Sequence, residues 1–219
     1  MIKIERSYPA PASLASEALK TSGRYTLPDV VSQLRIDFHD KCYICEMKPL
    51  ADPQVEHRLP HKNNTIPGRM FNWDNLFWAC GHCNGIKNQA KYDAGILDCC
   101  KTDPEKCIEM EYQNETVSAK LTDGTNPEAK LTAELLNEVY NQRNTGIRTA
   151  ACEIRLQMLQ KEMGKLYNML IRYNNEPDSR LNNIYLRELL SRESAFASIK
   201  RSYVRNNLNR FPKLEVYLR

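Results

Sequence analysis

Apolar residues follow a helical spacing near both ends of the chain and form short runs between them. The spacing predicts a short helix over residues 13–20 and a second helix that opens at Pro28. The apolar face of the second helix is formed by Val30, Val31, Leu34 and Phe38. Residues 54–58 and 75–80 are predicted to be short strands, and residues 84–92 are predicted to begin a helix.

The pattern changes after Cys107, where helical spacing dominates. Asn126 and Pro127 are typical of a helix cap and a first helical residue. The first helix of this half is predicted to begin there. A second helix of this half is predicted from the stripe of apolar residues that runs from Ile154 to Leu170, and a third over about residues 179–207. The apolar face of the third is predicted to be Leu181, Ile184, Leu189, Phe196, Ile199 and Tyr203. The predicted fold class is therefore α+β, mostly α, with a first domain at 1–110 and a helical region at 111–219.

Composition narrows the class of protein. The chain has 219 residues, with 31 Lys and Arg against 27 Asp and Glu. No apolar run approaches the length of a membrane span, and the first residues do not read as a secretory signal, so a cytoplasmic location is predicted. Residues 178–219 hold nine basic and four acidic residues. This excess of basic residues indicates a contact with nucleic acid or with an acidic protein. The alternative is a helix face that is only solvated.

Four of the eight cysteines form two matched pairs. Cys42 and Cys45 make one C-x2-C turn, Cys80 and Cys83 make another, and 34 residues separate the two pairs. Cytoplasmic cysteines stay reduced, and four thiolates at this spacing suit a closed, structural, tetrahedral Zn²⁺ site. Unliganded thiols and a redox pair are the alternatives, but a redox motif belongs beside a βαβ pattern that the sequence lacks.

Polar residues with catalytic potential stand around these pairs. Glu56 and His57 form an acid–histidine dipeptide on a predicted strand, and Asn75 comes five residues before Cys80. Asn84 follows Cys83 directly, and Lys87 completes the spacing C-x2-C-N-x2-K. In order, the motifs read CYIC, EHRLP and DNLFWACGHCNGIK.

Over about residues 40–90 this order resembles the zinc-knuckle form of the HNH endonucleases. The resemblance implies a zinc-stapled ββα-metal core, with the first histidine of the family at His57 and its asparagine at Asn75. The last family position falls on Asn84, where many members have histidine. The identity of the second metal ligand is therefore the point at which this chain departs from those members.

The resemblance implies a role for each of these residues in phosphodiester hydrolysis. His57 has a side chain that can take a proton from water at neutral pH. Glu56 and Asn84 offer oxygen ligands to a catalytic Mg²⁺ or similar divalent ion, and Asn75 holds the loop that carries His57. His82 is a possible further metal ligand, and Lys87 is expected to contact a DNA phosphate. The alternative for His57 is a histidine that only stabilises a zinc-stapled loop.

A closer resemblance, to the HNH subunit of Septu-type anti-phage systems (PtuB-like), extends over most of the chain and is strongest to about residue 150. It is carried by MIKIERSYPAP, YTLPDVVSQLRIDFHDKCYICE, ILDCCKTDPEKCIEM and TAELLNEVYNQRNTGIR. In that family the nuclease works with an ABC-type ATPase subunit. In retron versions it also works with a reverse transcriptase and its RNA–DNA product. The implied function is a DNA endonuclease that acts as the effector of an anti-phage defence system.

Two other functions compete with this one. A zinc-stapled module could bind nucleic acid or protein without cleaving, and a restriction-type HNH enzyme could act alone. Cys99, Cys100 and Cys107 are predicted to be small buried residues rather than a second metal site. His39 is predicted to be structural, and the role of His61 stays open. The helical region is predicted to dock on the ATPase, with contacts to its acidic surface or to DNA from Arg192, Lys200, Arg201 and Arg205.

Overall fold

The computed structural model describes residues 1–63, 65–66, 68–122 and 124–219. Within these ranges the chain is α+β, as predicted, with two small antiparallel sheets and a mostly helical second half. Buried apolar side chains from both halves form one continuous cluster. Among the described residues, no helix has the length and apolar character needed to cross a membrane.

Two short helices precede the first cysteine pair. Helix α1 spans Ala12–Ala18, and α2 spans Pro28–Asp37 with its proline in the first turn. Proline suits that position because the first N–H groups of a helix have no partner within it. Val30, Leu34 and Phe38 are fully buried, as predicted, and Val31 is half-buried. Helix α2 thereby packs on the core and brings the chain to Cys42.

A β-hairpin and a helix surround the second cysteine pair. Strand β1 (Pro53–His57) pairs antiparallel with β2 (Leu76–Cys80), and α3 (Gly81–Lys87) follows β2 directly. Both strand predictions are confirmed to within one residue, whereas the helix begins earlier than residue 84. All of β2 is buried, which accounts for its continuous apolar run.

A second hairpin was not predicted. Strand β3 (Ile108–Gln113) pairs antiparallel with β4 (Thr116–Leu121). The turn residues Asn114 and Glu115 both have positive φ, at 50° and 59°, which is the geometry of a two-residue hairpin turn. The predicted domain boundary after residue 110 lies inside β3, so a division there would cut a strand.

The helical half begins as predicted. Helix α4 spans Pro127–Asn141, and the side chain of Asn126 accepts a hydrogen bond from the Ala129 amide. Helix α5 spans Gly146–Asn175. Ile154, the first residue of the predicted apolar stripe, is 55% exposed and does not belong to the buried face. The buried stripe of α5 instead runs through Cys152, Leu156, Leu159, Met163, Leu166 and Leu170.

The prediction of one helix over residues 179–207 is wrong. Helix α6 spans Arg180–Leu189 and α7 spans Ala197–Arg205, with Phe196 in a left-handed conformation between them. The buried ammonium of Lys41 donates to carbonyl oxygens in this break, those of Arg192 and Ser194. A continuous helix would use these carbonyls in its own hydrogen bonds. Two predicted core residues of α6 are more than half exposed, Leu181 and Ile184.

The four basic residues predicted to contact a partner or DNA are paired within the chain. Lys200 and Arg201 are buried, with exposures of 0% and 1%, and they pair with Glu162 and Glu105. The prediction that these two contact a partner or DNA is therefore wrong, because neither side chain reaches the surface. Arg192 and Arg205 are about one-third exposed and pair with Asp103 and Glu105.

Candidate functional site

Four buried cysteines converge at the junction of α2, β2 and α3. The sulfur atoms of Cys42, Cys45, Cys80 and Cys83 all lie within 4.8 Å of one another. The sulfurs of Cys45 and Cys80 are 3.9 Å apart. A zinc ion with four sulfur ligands at about 2.3 Å separates those sulfurs by roughly 3.8 Å. The cluster is therefore positioned to bind a metal ion and is consistent with structural zinc, as predicted.

The pKa values of the thiols differ within the cluster. Burial raises the pKa of the Cys42 and Cys83 thiols well above its usual value. Side-chain hydrogen bonds within the cluster lower the pKa of Cys80. A bound dication would keep all four groups in the thiolate form that coordinates metal.

The helical half reaches this cluster, which the sequence analysis missed. Arg155 of α5 is 4% exposed and donates from Nη2 to the sulfur of Cys80 over 3.1 Å. Tyr140 of α4 donates to the carbonyl oxygen of Cys45 over 2.7 Å. The sequence signal for this contact was a charged residue, Arg155, directly beside Leu156 in the apolar stripe of α5. These contacts join the cysteine cluster to α4 and α5.

His82, a predicted possible metal ligand, lies on the same junction. Its Nε2 is 3.0 Å from the carbonyl oxygen of Val139 in α4. A carbonyl oxygen only accepts, so this nitrogen carries the proton. Burial lowers the pKa of His82. The observed contact gives His82 a packing role between α3 and α4.

His57 stands at the end of β1 and lines an open cavity of about 480 Å³, together with Glu56, Asn84 and Lys87. Its Nε2 is 2.9 Å from the carbonyl oxygen of Met70. That contact assigns the proton to Nε2 and leaves the lone pair of the neutral ring on Nδ1. Burial lowers the pKa of His57, so the ring is neutral at pH 7. The rings of Tyr25 and His61 pack against it, each with a centroid distance of 4.5 Å.

Asn75 holds the loop that follows His57. It is 4% exposed, and its amide donates to the carbonyl oxygens of Leu59 and Arg69, over 2.8 and 3.0 Å. Its Oδ1 accepts from the Leu59 amide over 2.8 Å. The Asn75 side chain therefore holds both ends of the loop, at Leu59 and at Arg69. Arg69 is followed directly by Met70, whose carbonyl oxygen contacts His57.

Glu56 is buried, and both of its carboxylate oxygens have partners. Oε1 is 2.6 Å from the Lys87 ammonium, and Oε2 accepts from the Tyr43 hydroxyl over 2.6 Å. Lys87, for which a phosphate contact was predicted, is only 5% exposed and also donates to the carbonyl oxygen of His57 over 3.0 Å. One ammonium therefore fixes both residues of the acid–histidine dipeptide.

Asn84 lies in the middle of α3 and lines the same cavity. It is half-buried, and its amide donates to the Gln54 side chain over 2.7 Å. Oxygen donors of the kind that Mg²⁺ prefers therefore line the cavity, in Glu56 and Asn84. Both side chains are engaged within the chain, Glu56 by Lys87 and Tyr43 and Asn84 by Gln54.

The remaining cysteines and His39 lie apart from this arrangement. Among the described residues, the four-cysteine cluster is the one group of three or more His, Cys, Asp or Glu ligands close enough to share a metal ion. Cys99 is buried, and Cys100 and Cys107 are half-buried. His39 lines a different cavity, beside Asp37 and Glu193.

Comparisons with protein-family models, with curated proteins and with solved structures found no match. The resemblance to HNH nucleases therefore rests on the sequence motifs.

Replacing Asn75 with alanine should destabilise the chain and loosen the loop after His57. The change leaves three partly buried backbone groups without their partner, at up to about 1–3 kcal/mol for each group that stays unsatisfied. Urea unfolding measures the loss. Asn72→Ala is the matched control, because exposed Asn72 caps only the amide of Asp74, and a lost cap costs about 1 kcal/mol. Equal stability of the two variants would contradict the assigned role.

Proposed function

We propose that this chain is a metal-dependent HNH-type DNA endonuclease that acts in the cytoplasm. The observation that carries the proposal is the setting of His57. Its Nε2 is held by a backbone carbonyl, its Nδ1 can accept a proton, and it shares one cavity with Glu56 and Asn84. The order of the hairpin, the following helix and the cysteine cluster along the chain supports the proposal.

In this proposal each side chain has a distinct task. His57 takes a proton from the attacking water through Nδ1, because Nε2 is already protonated. Asn75 keeps the loop and the Met70 carbonyl in place, so the imidazole keeps its orientation. Glu56 and Asn84 would hold a divalent ion such as Mg²⁺. That ion would neutralise charge on the phosphate and stabilise the leaving oxygen.

The experiment is a nicking assay on supercoiled plasmid with MgCl₂. The chain should nick the plasmid, and His57→Ala should reduce the rate by about 10²–10⁴-fold, the usual contribution of a general base. His39→Ala is a matched control with unchanged activity, since His39 lies in another cavity. Zinc content and circular dichroism should be the same in all three proteins. Nicking by His57→Ala at the parent rate would overturn the proposed mechanism.

One observation favours a second candidate function, a binding module that does not cleave. Glu56 is already neutralised by Lys87, as expected for a residue with a purely structural task. The same assay separates the two functions. A module that only binds would retard the plasmid on a gel and leave it supercoiled with Mg²⁺ and with Mn²⁺.

We further propose, on the Septu-like resemblance, that the nuclease is the effector of an anti-phage system. Its partners would be an ABC-type ATPase subunit and, in a retron setting, a reverse transcriptase with its RNA–DNA product. Co-expression with the adjacent genes, followed by affinity purification, tests this setting. Recovery of the chain alone would contradict the proposed assembly.

A further inference from the structure

The proposed metal position already contains a positive charge. The Lys87 ammonium lies 2.6 Å from Oε1 of Glu56, and both side chains are almost fully buried, with exposures of 5% and 3%. The Tyr43 hydroxyl donates a hydrogen bond to the other carboxylate oxygen of Glu56. A divalent ion at Glu56 would stand beside this ammonium, and two cations at contact distance repel strongly in a partly dry site.

The lysine cannot simply leave. Without it, the Glu56 carboxylate would be buried and unpaired, which is strongly unfavourable. A metal ion can take over the carboxylate only if the ammonium finds another anion at the same time. Lys87 lines the same open cavity as His57 and Asn84, and its long, flexible side chain can turn toward that cavity.

We infer that Lys87 is a resident cation that keeps divalent metal off Glu56 until a DNA phosphate draws its ammonium into the cavity. The inference rests on the proposed nuclease function and adds an order of binding to it. Metal and DNA would then bind together. A DNA phosphate would pair with the Lys87 ammonium, and Oε1 of Glu56 would become available to the metal. Thermodynamic linkage requires DNA to tighten metal binding and metal to tighten DNA binding by the same factor.

The test measures Mn²⁺ binding by electron paramagnetic resonance on the full, zinc-loaded chain carrying His57→Ala, which keeps the DNA uncut. Mn²⁺ should bind at least tenfold more tightly when a short DNA duplex is present. Adding Lys87→Met should give tight Mn²⁺ binding without DNA, and the duplex should then have little further effect. Glu56→Gln should remove the binding, which locates the site.

Lys91→Met is the matched control. Lys91 lies four residues further along the chain and pairs with Glu138 rather than with Glu56, so Mn²⁺ binding should keep its dependence on DNA. Lys87→Arg retains the charge and should also keep that dependence, which covers the case in which Lys87→Met folds poorly.

Equal Mn²⁺ affinity of the parent and Lys87→Met without DNA would overturn the inference, as would tight DNA-independent binding in Lys87→Arg. These outcomes are separate from the plasmid assay. A chain that nicks plasmid but binds Mn²⁺ equally well with and without DNA keeps its proposed function and loses this order of binding.

Discussion

Replacing Cys83 with serine will remove the zinc and unfold more of the chain than the cysteine turns themselves. Binding of structural zinc contributes about 10–16 kcal/mol in zinc-finger peptides. That is as large as the whole stability of a typical domain, about 5–15 kcal/mol. The four sulfurs lie where α2, β2 and α3 meet, so the loss of one ligand removes the link among these elements.

The helical half should respond as well. Arg155 donates to the sulfur of Cys80, and Tyr140 donates to the carbonyl of Cys45. Without the metal, the cysteine turns lose their fixed geometry and these two buried donors lose their partners. We therefore expect one cooperative loss of structure across both halves, rather than local unfolding around the hairpin.

Metal analysis and thermal melting followed by circular dichroism test this expectation. The parent should contain one zinc per chain and melt cooperatively, and Cys83→Ser should lack zinc and a cooperative transition. Cys107→Ser is the matched control, because Cys107 is half-buried and lies outside the cluster. It should keep the zinc and most of the stability. A zinc-free Cys83→Ser protein that melts like the parent would show that the cluster does not hold the fold.

The elements around the site could be predicted because their signals are local. Residues 75–80 form a short, mostly apolar run that becomes β2, and residues 54–58 form a short stretch between Pro53 and Pro60 that becomes β1. The paired cysteine spacing indicated a shared metal, and the structure brings the four sulfurs together. The hairpin β3–β4 was missed although Ile108 and Met110 alternate with Glu109 and Glu111. Its Asn-Glu turn lacks the glycine that usually marks a hairpin.

Features that depend on distant contacts could not be predicted. The break between α6 and α7 accompanies the contact of its carbonyl groups with buried Lys41, about 150 residues earlier in the chain. The contact between Arg155 and Cys80 joins α5 to the cysteine cluster in the same way. Spacing placed Lys87 near the catalytic residues, but only the structure shows that its ammonium is held by Glu56.

Glu105→Gln should cost about 3–5 kcal/mol of unfolding free energy, the usual penalty for breaking a buried ion pair. Glu105 lies in a short 3-10 helix, Pro104–Lys106, and its side chain is 6% exposed. Its carboxylate accepts from Nε of Arg201 at 2.9 and 3.0 Å and from Nη2 of Arg205 at 2.8 Å. Arg201 is itself 1% exposed, so the neutral amide would leave its charge uncompensated in the interior.

The same residue joins distant parts of the chain. Arg201 in α7 also donates to the carbonyl oxygens of Leu190, Tyr217 and Leu218. A guanidinium that has lost its carboxylate holds these carbonyls less firmly, so the 3-10 helix Pro212–Leu218 should loosen from α7. Hydrogen exchange should therefore speed up in residues 212–218 before the rest of the chain is affected.

Urea unfolding measures the effect, and Glu111→Gln is the matched control. Glu111 pairs with Lys120 on the outer face of the β3–β4 hairpin, where both side chains are more than 40% exposed. Water and salt screen such a pair, so its loss should leave the unfolding midpoint almost unchanged. If Glu105→Gln moved the midpoint no further than Glu111→Gln, Arg201 would not depend on Glu105. The ion pair with Glu105 would then not explain why Arg201 is buried within the chain rather than available to a partner or to DNA.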